Sequence, residues 1–459
     1  MAQTPNSSRV FHRTLNTSFP QATLAKGVYI TDSTGKQYLD GSGGAAVSCL
    51  GHGHPYVIDA IKQQLDHMAF AHTSFFTNTP AEELAEKLSQ EAPKNKHTSG
   101  NWRTYFVSGG SEANETAFKM ARQIMFERGE TSRSHFIARQ QSYHGGTIAT
   151  MSAGGRAASR DLYEPLLSTN FEKIMPCFPF RWQNEGESDE AFLARSTGEL
   201  ETMIENLGDK RVIGFIAETV SGATLGAVPP VKGYFKEIRR ICDKHGVLMI
   251  MDEVMAGMGR CGKLFAIDEE GVVPDMITLA KGLGGGYQPL GAVMVREELA
   301  QEIEDGSGAF VHGHTYVGHA TACAAGVAVQ RVFEETGIIE QVAVKGDILA
   351  DKLIEAFGDH PHVGDLRGRG FFRGIELVKD RETNEPFDGK HGLAMKIKKA
   401  AMDEGLICYP MGGTADGTVY GPNGDHVMLA PPFIYTENHM DELIEKLGRA
   451  IDGSIAGIL

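Results

Sequence analysis

Between residues 103 and 295 the chain repeats one pattern: a short apolar run, then a stretch with helical spacing. The runs fall at residues 103–107, 135–138, 212–217, 247–251, 276–280 and 292–295. Such short, continuous runs suit strands buried on both faces, because a strand with one wet face would alternate apolar and polar residues. The expected fold class is therefore α/β, with a mostly parallel central sheet flanked by helices. Upstream, residues 28–31 and 37–40 flank Asp32-Ser33-Thr34-Gly35-Lys36, a turn-rich spacer that predicts a hairpin. Ile58, Ile61, Leu65 and Met68 then follow with helical spacing. Beyond about residue 330 helices alternate with strands. Val344, Ile348, Leu349, Leu353 and Phe357 mark one helix, and Met440, Leu443, Ile444, Leu447 and Ile451 mark the last. The expected organisation is a large domain at 75–325 and a smaller α+β domain at 326–459, which the N-terminal segment 1–74 joins.

Charge narrows the partners. With 44 basic and 59 acidic residues the chain carries a net charge of −15, so phosphodiester backbones and anionic lipid are repelled, and neither nucleic acid nor membrane is expected as a partner. Six dispersed cysteines with no CxxC suggest neither a disulfide framework nor a zinc ribbon, and point to a reducing, cytoplasmic setting. The first 20 residues lack the apolar core of a secretory signal. The longest stretch without Asp, Glu, Lys or Arg, 306–330, holds three histidines and five glycines, a poor spanning helix.

Three segments carry candidate chemistry. Ser108-Gly109-Gly110-Ser111-Glu112-Ala113 follows a strand and opens a helix, so free N–H groups and the helix dipole can cradle a phosphate; an ordinary Gly/Ser turn reads the same way. Asp252-Glu253 ends a buried strand at the carboxyl edge where open α/β sheets bind ligands, although a helix cap or a Walker B strand would look alike. Lys281 follows the apolar run 276–280 and precedes a glycine-rich bend, where desolvation lowers an amine pKa as a Schiff-base nucleophile requires. Gly257-Met258-Gly259-Arg260-Cys261-Gly262-Lys263-Leu264 offers a competing P-loop, but Leu264 replaces the hydroxyl that holds magnesium. The histidine pairs His52/His54 and His312/His314 lack a carboxylate at ligand spacing, so no metal is assigned.

Taken together, Asp252-Glu253-Val254, Lys281 twenty-nine residues on, Gly109-Gly110-Ser111 upstream and Gly313-His314-Thr315-Tyr316 downstream resemble the class III aminotransferases of the fold-type I pyridoxal phosphate enzymes. The likeness runs from Gly27-Val28-Tyr29 to Ala430-Pro431-Pro432. It implies pyridoxal 5'-phosphate as cofactor, with Lys281 forming the Schiff base and moving the substrate proton, and Asp252 keeping the ring nitrogen protonated. It further implies phosphate binding by Gly109, Gly110 and Ser111, and by Thr315 of the second subunit of a homodimer or dimer of dimers. Tyr143, in Ser142-Tyr143-His144-Gly145, resembles the aromatic on one ring face; Val254 resembles the residue on the other, and Glu218 the acidic neighbour. His144 is counted with the cofactor site.

Departures from the family pattern bear on substrate. Met428 and Ala223 stand where ornithine-type members carry a carboxylate-gripping arginine and its gating glutamate. Tyr409 stands where a switching arginine is usual in the amine branch. The resemblance thus implies an amine or ω-amino acid donor and a 2-oxo acid acceptor, pyruvate foremost, in a ping-pong cycle. Ala45, Ala46, Phe75, Tyr143 and Tyr409 are expected in the substrate pocket, and Arg156, Arg160 or the backbone of the loop at 412–425 as the carboxylate anchor. Alternatives at the same site are a 2-oxoglutarate-dependent diamine or diamino acid aminotransferase, a decarboxylating dialkylglycine-type transaminase and an aminomutase.

Overall fold

The computed structural model describes residues 8–95, 100–155, 160, 162–208, 210–413, 415 and 423–459. Its largest sheet has seven strands: β4 (Trp102–Val107), β5 (His135–Arg139), β6 (Phe171–Ile174), β7 (Val212–Glu218), β8 (Leu248–Asp252), β9 (Met276–Leu279) and β10 (Gly291–Arg296). They lie in the order β4-β10-β9-β8-β7-β5-β6. The pairs β9-β8, β8-β7, β7-β5 and β5-β6 are parallel, and β10 runs antiparallel to both neighbours. One strand is therefore reversed, and the other six end on the same edge.

The six apolar runs are all strands of this sheet, within a residue or two of their expected ends. β6 escaped notice because Phe171-Glu172-Lys173-Ile174 interleaves two charges, as an edge strand with a wet side can. Every residue of β7 and β8 is buried. The helix Tyr234–His245 covers one face through Tyr234, Phe235, Ile238, Ile241 and Cys242. It ends at Gly246, whose φ of 61° closes the left-handed cap and turns the chain straight into β8.

A smaller antiparallel sheet follows, ordered β11 (Val363–Arg369), β12 (Phe372–Leu377), β15 (Asp425–Leu429) and β14 (Tyr409–Gly412), where β14 and β15 are adjacent. The expected hairpin is β2 (Tyr29–Asp32) and β3 (Gln37–Asp40). β1 (Ala22–Lys26) extends it on one side, and β13 (Leu406–Ile407) pairs parallel with β3, so the start of the chain is stitched to its last third. The final helix, Glu437–Ala456, buries Met440, Leu443, Leu447 and Ile451 as its spacing predicts. In the helix Ile338–Phe357 the buried face is Val342, Leu349, Leu353 and Phe357; Val344 is exposed, because its position turns it away from that stripe. No helix among the described residues is long and apolar enough to cross a membrane.

After β3 the chain makes a left-handed turn at Gly43–Ala46, with φ of 54°, 61°, 74° and 64°. Glycine adopts this region freely, but Ala45 and Ala46 each cost about 1–2 kcal/mol there. Such strain persists where the surroundings impose it, commonly beside a site.

Candidate active site

Because β4, β5, β7, β8 and β9 point the same way, the residues that leave their carboxyl ends converge. A cavity of about 280 Å³ opens there, and its wall includes Gly110, Ser111, Tyr143, His144, Glu218, Asp252, Val254 and Lys281.

Lys281 sits two residues past β9 with φ of 48°, a strained value for a side chain with a Cβ. Its side chain touches the cavity yet lies deep in the protein. Burial pulls the amine down to about 8, against the opposing pull of Asp252 and Glu218. Among the described residues no hydrogen bond or ion pair engages it, so near neutral pH a far larger share of it is the free, nucleophilic amine than for an ordinary lysine.

Asp252, at the end of β8, is held from three sides. Oδ2 accepts from Asn114 Nδ2 at 2.8 Å and faces His144 Nδ1 at 2.8 Å, while Oδ1 accepts from Val254 N at 3.0 Å. The β8-β9 register sets Thr278 opposite Asp252, and Thr278 Oγ1 donates to Asn114 Oδ1 at 2.8 Å, which forces the Asn114 amide to aim its NH₂ at Asp252 and at the His144 carbonyl. A buried carboxylate needs such donors. Removing this amide should therefore be felt. Asn114→Ala is expected to lower stability by about 2 kcal/mol, read by thermal unfolding, and Asn114→Ser to recover part of it.

Glu253 turns the other way. Thr219 Oγ1 donates to it at 2.5 Å, and the amides of Ala266 and Ile267 at 2.7 and 2.8 Å, with burial raising its carboxyl to about 7. Of the two strand-end carboxylates, then, Asp252 serves the cavity and Glu253 caps the next segment. The Gly257 stretch is no P-loop either: Gly257 N bonds to Glu253 O at 3.0 Å and a short 3₁₀ turn, Ala266–Glu270, follows instead of a helix.

On the opposite wall the helix Gly110–Glu127 begins without a side-chain cap on its Gly109 N-cap, leaving first-turn amides available to an anion. A methyl group at Gly110 would stand 2.7 Å from Val254 Cγ1, and one at Gly145 2.6 Å from Ser111 Oγ, so bare backbone is required at both. Ser111 Oγ accepts from Gly146 N at 3.0 Å. Tyr143 is half-exposed on the wall; its N–H lies 3.4 Å from Glu218 Oε2, and Gly222 N donates to Glu218 Oε1 at 2.9 Å. Glu218 is adjacent to Asp252 in the β7-β8 register, and burial pushes its carboxyl upward.

Other sequence candidates lie elsewhere. Tyr409, Ala45 and Ala223 line the cavity, whereas Ala46 and Met428 are buried behind it in an apolar cluster with Val220 and Phe372. Gly109 sits just outside the lining. Phe75 is 79 % exposed and Thr315 is also exposed, and neither reaches this cavity. Arg160 is not free for a ligand: it donates to the carbonyls of Met151, Ser152 and Gly154 at the end of the helix Ile148–Ala153, where a cation complements the dipole. Arg156 and most of the loop at 412–425 lie outside the described residues. His52 does have a carboxylate partner, Asp40 at 3.1 Å, supplied by β3 rather than by its own loop. Sequence reasoning passed over Asn114, which shares a helix face with Gly110, and the lining residues Arg13, Thr224, Met255 and Met411.

An uncapped helix start, a buried His144 Nε2 without a partner among the described residues, and an acidic floor beside a lowered lysine suit a phosphate-bearing aldehyde with a basic ring nitrogen. Fold and site together define a pyridoxal phosphate enzyme of fold type I. The comparisons sharpen this. Residues 12–451 match the model for "Aminotransferase class-III", and the chain belongs to that family. It is 41 % identical to an uncharacterized aminotransferase of Schizosaccharomyces pombe over 98 % of this chain and 96 % of that one. It is 35 % identical to the diaminobutyrate–2-oxoglutarate transaminase of Halomonas elongata, over 94 % and 89 %. The crystal structure of the ω-transaminase from Pseudomonas jessenii in complex with PMP superposes with a TM-score of 0.91 at 30 % identity, covering 100 % and 99 % of the two chains. The protein is a pyridoxal phosphate-dependent aminotransferase.

Proposed function

We propose that this aminotransferase moves an amino group from an amine or ω-amino acid to a 2-oxo acid, with pyruvate the preferred acceptor. The observation that carries this reading is the substrate side of the cavity, where Ala45, Ala223, Met255, Tyr409 and Met411 form the wall and Met428 is fully buried. No arginine–glutamate clamp for a five-carbon diacid stands at those positions.

The roles follow from chemistry. Bound pyridoxal phosphate supplies an electrophilic carbon and an electron-withdrawing ring. Lys281, whose lowered pKa makes the free amine accessible, would hold the cofactor covalently through Nζ and, once displaced by substrate, would carry the proton from the amine-bearing carbon of the substrate to the former aldehyde carbon of the cofactor. Asp252 would face the ring nitrogen, the first-turn amides of Gly110 and Ser111 would hold the phosphate, and Tyr143 and Val254 would bracket the ring, while Glu218 accepts from the Tyr143 backbone N–H. A second copy of the chain, making a homodimer, would bring its own Thr315 to the phosphate, in keeping with the exposure of Phe75, Phe76 and Tyr316 beside that segment. We read 75–325 as the cofactor domain, with 1–74 and 326–459 as the smaller one. Five buried thiols suit a cytoplasmic setting.

A diamino acid donor with 2-oxoglutarate is the second reading, favoured by the Halomonas elongata relative. A donor panel of β-alanine, a diamine and an arylalkylamine against both acceptors decides between them. Pyruvate is expected to support turnover at least about tenfold faster than 2-oxoglutarate, a discrimination of ~1.4 kcal/mol; the reverse order overturns the pyruvate assignment. Carbon dioxide release, or product without acceptor, would instead identify the decarboxylating enzyme or the mutase.

A further inference from the structure

The cavity holds a second cation. Arg13, from the exposed segment ahead of β1, lines it together with Lys281, Tyr409 and Met411, and among the described residues its guanidinium has no hydrogen-bond or ion-pair partner. The segment that carries it is tethered: β1 pairs with β2, Gln21 O accepts from Ser33 N at 2.8 Å, and the His12 ring packs on Phe19 at 5.3 Å.

Arginines behind the wall are buried and tied to the protein, although Arg139 Nε and Arg260 Nε and Nη2 have no hydrogen-bond partner among the described residues. Arg139 donates to Glu218 O and Ser221 Oγ, Arg260 to the carbonyls of Phe371 and Pro431, and Arg367 to the carbonyls of Leu225 and Gly226 and to Glu376. His426 is held neutral by burial, at about 4. Glu218 and Asp252 on the same wall are carboxyl groups, so a carboxylate entering a chain of net charge −15 meets repulsion unless a cation receives it.

We propose that Arg13 is the substrate's carboxylate receptor, a specificity-determining residue that takes the place of the arginines absent at Met428 and Tyr409. Its planar fork matches a carboxylate with two parallel hydrogen bonds. Its long, unpartnered side chain can also turn away when an uncharged amine occupies the same space, which lets one site serve two unlike substrates.

This inference rests on the oxo acid reading above, and the experiment separates the two. Steady-state kinetics of the holoenzyme are measured with pyruvate and 2-oxoglutarate, alongside inhibition by propanoate. Arg13→Ala and Arg13→Gln are expected to raise KM for the oxo acid and Ki for propanoate by roughly 30-fold or more, with kcat altered far less, and Arg13→Lys to recover part of the loss. An Arg13→Gln enzyme whose KM and Ki stay within about twofold of the native values, by comparison with the effect expected for a lost charged hydrogen bond, overturns the proposal. Equal loss in Arg13→Lys and Arg13→Gln, with kcat falling and KM unmoved, also overturns it, since that pattern marks packing. If the native enzyme accepts no oxo acid at all, the oxo acid reading itself falls.

Discussion

A Lys281→Ala enzyme is expected to turn over at least ~10,000-fold more slowly than the native chain, because both the covalent attachment and the proton carrier disappear together. Borohydride treatment followed by peptide mass analysis should leave a cofactor-sized addition on Lys281 in the native protein and none in the variant. Normal turnover by the variant would end the assignment. The same residue gives a second, activity-free reading. The unfolded chain keeps the lysine proton up to about 10.5, whereas the folded apoprotein keeps it only to about 8. Between those values the unfolded state binds more protons, so stability rises with pH across that window and the cost of the buried ammonium is fully present below it. Lys281→Met should accordingly stabilise the apoprotein near pH 7 by roughly 2–3 kcal/mol, a gain that fades as pH climbs from 8 towards 10.5. Denaturant melts of both apoproteins at several pH values read it directly.

How far the sequence reveals this site depends on what each residue interacts with. Six of the seven strands of the large sheet are legible because burial on both faces leaves a continuous apolar run, and Asp252 and Lys281 are legible because they interrupt such runs at strand ends. Asn114 is not, since its importance comes from cross-strand register: Thr278 stands beside Asp252 only once β8 and β9 pair. Distance in sequence likewise misleads about His52, whose carboxylate arrives from β3, and about Arg160, whose guanidinium is consumed by the carbonyls of a helix end. Arg13 was invisible for the same reason. Nothing local distinguishes an arginine in a polar leading segment from a solvated one until the fold carries it to the cavity.

Asp252→Asn is expected to lower kcat by about 1,000-fold or more while the protein stays folded, an effect on the scale of losing a preorganised charge at the reacting centre. Asparagine keeps the shape of the side chain, and with its single oxygen turned to Asn114 Nδ2 and His144 Nδ1 it gives up only the bond from Val254 N, but it removes the negative charge from the cavity floor. The comparison with Asp252→Ala is informative. Alanine strands Asn114 Nδ2 and His144 Nδ1 in a dry site where both now meet Oδ2 at 2.8 Å, so it should also cost about 2–4 kcal/mol of stability. If the carboxylate acted only as a structural acceptor, activity would track stability, and Asn114→Ala would lower kcat as much as Asp252→Asn. If its charge governs the bound ring, Asp252→Asn loses far more activity than its smaller drop in melting temperature, less than that of Asp252→Ala, would predict and shifts the pH dependence of the cofactor absorbance, whereas Asn114→Ala melts earlier but keeps most of its turnover. An Asp252→Asn enzyme retaining more than about a tenth of native kcat would leave the charge too small a share of transition-state stabilisation to support the role given to it.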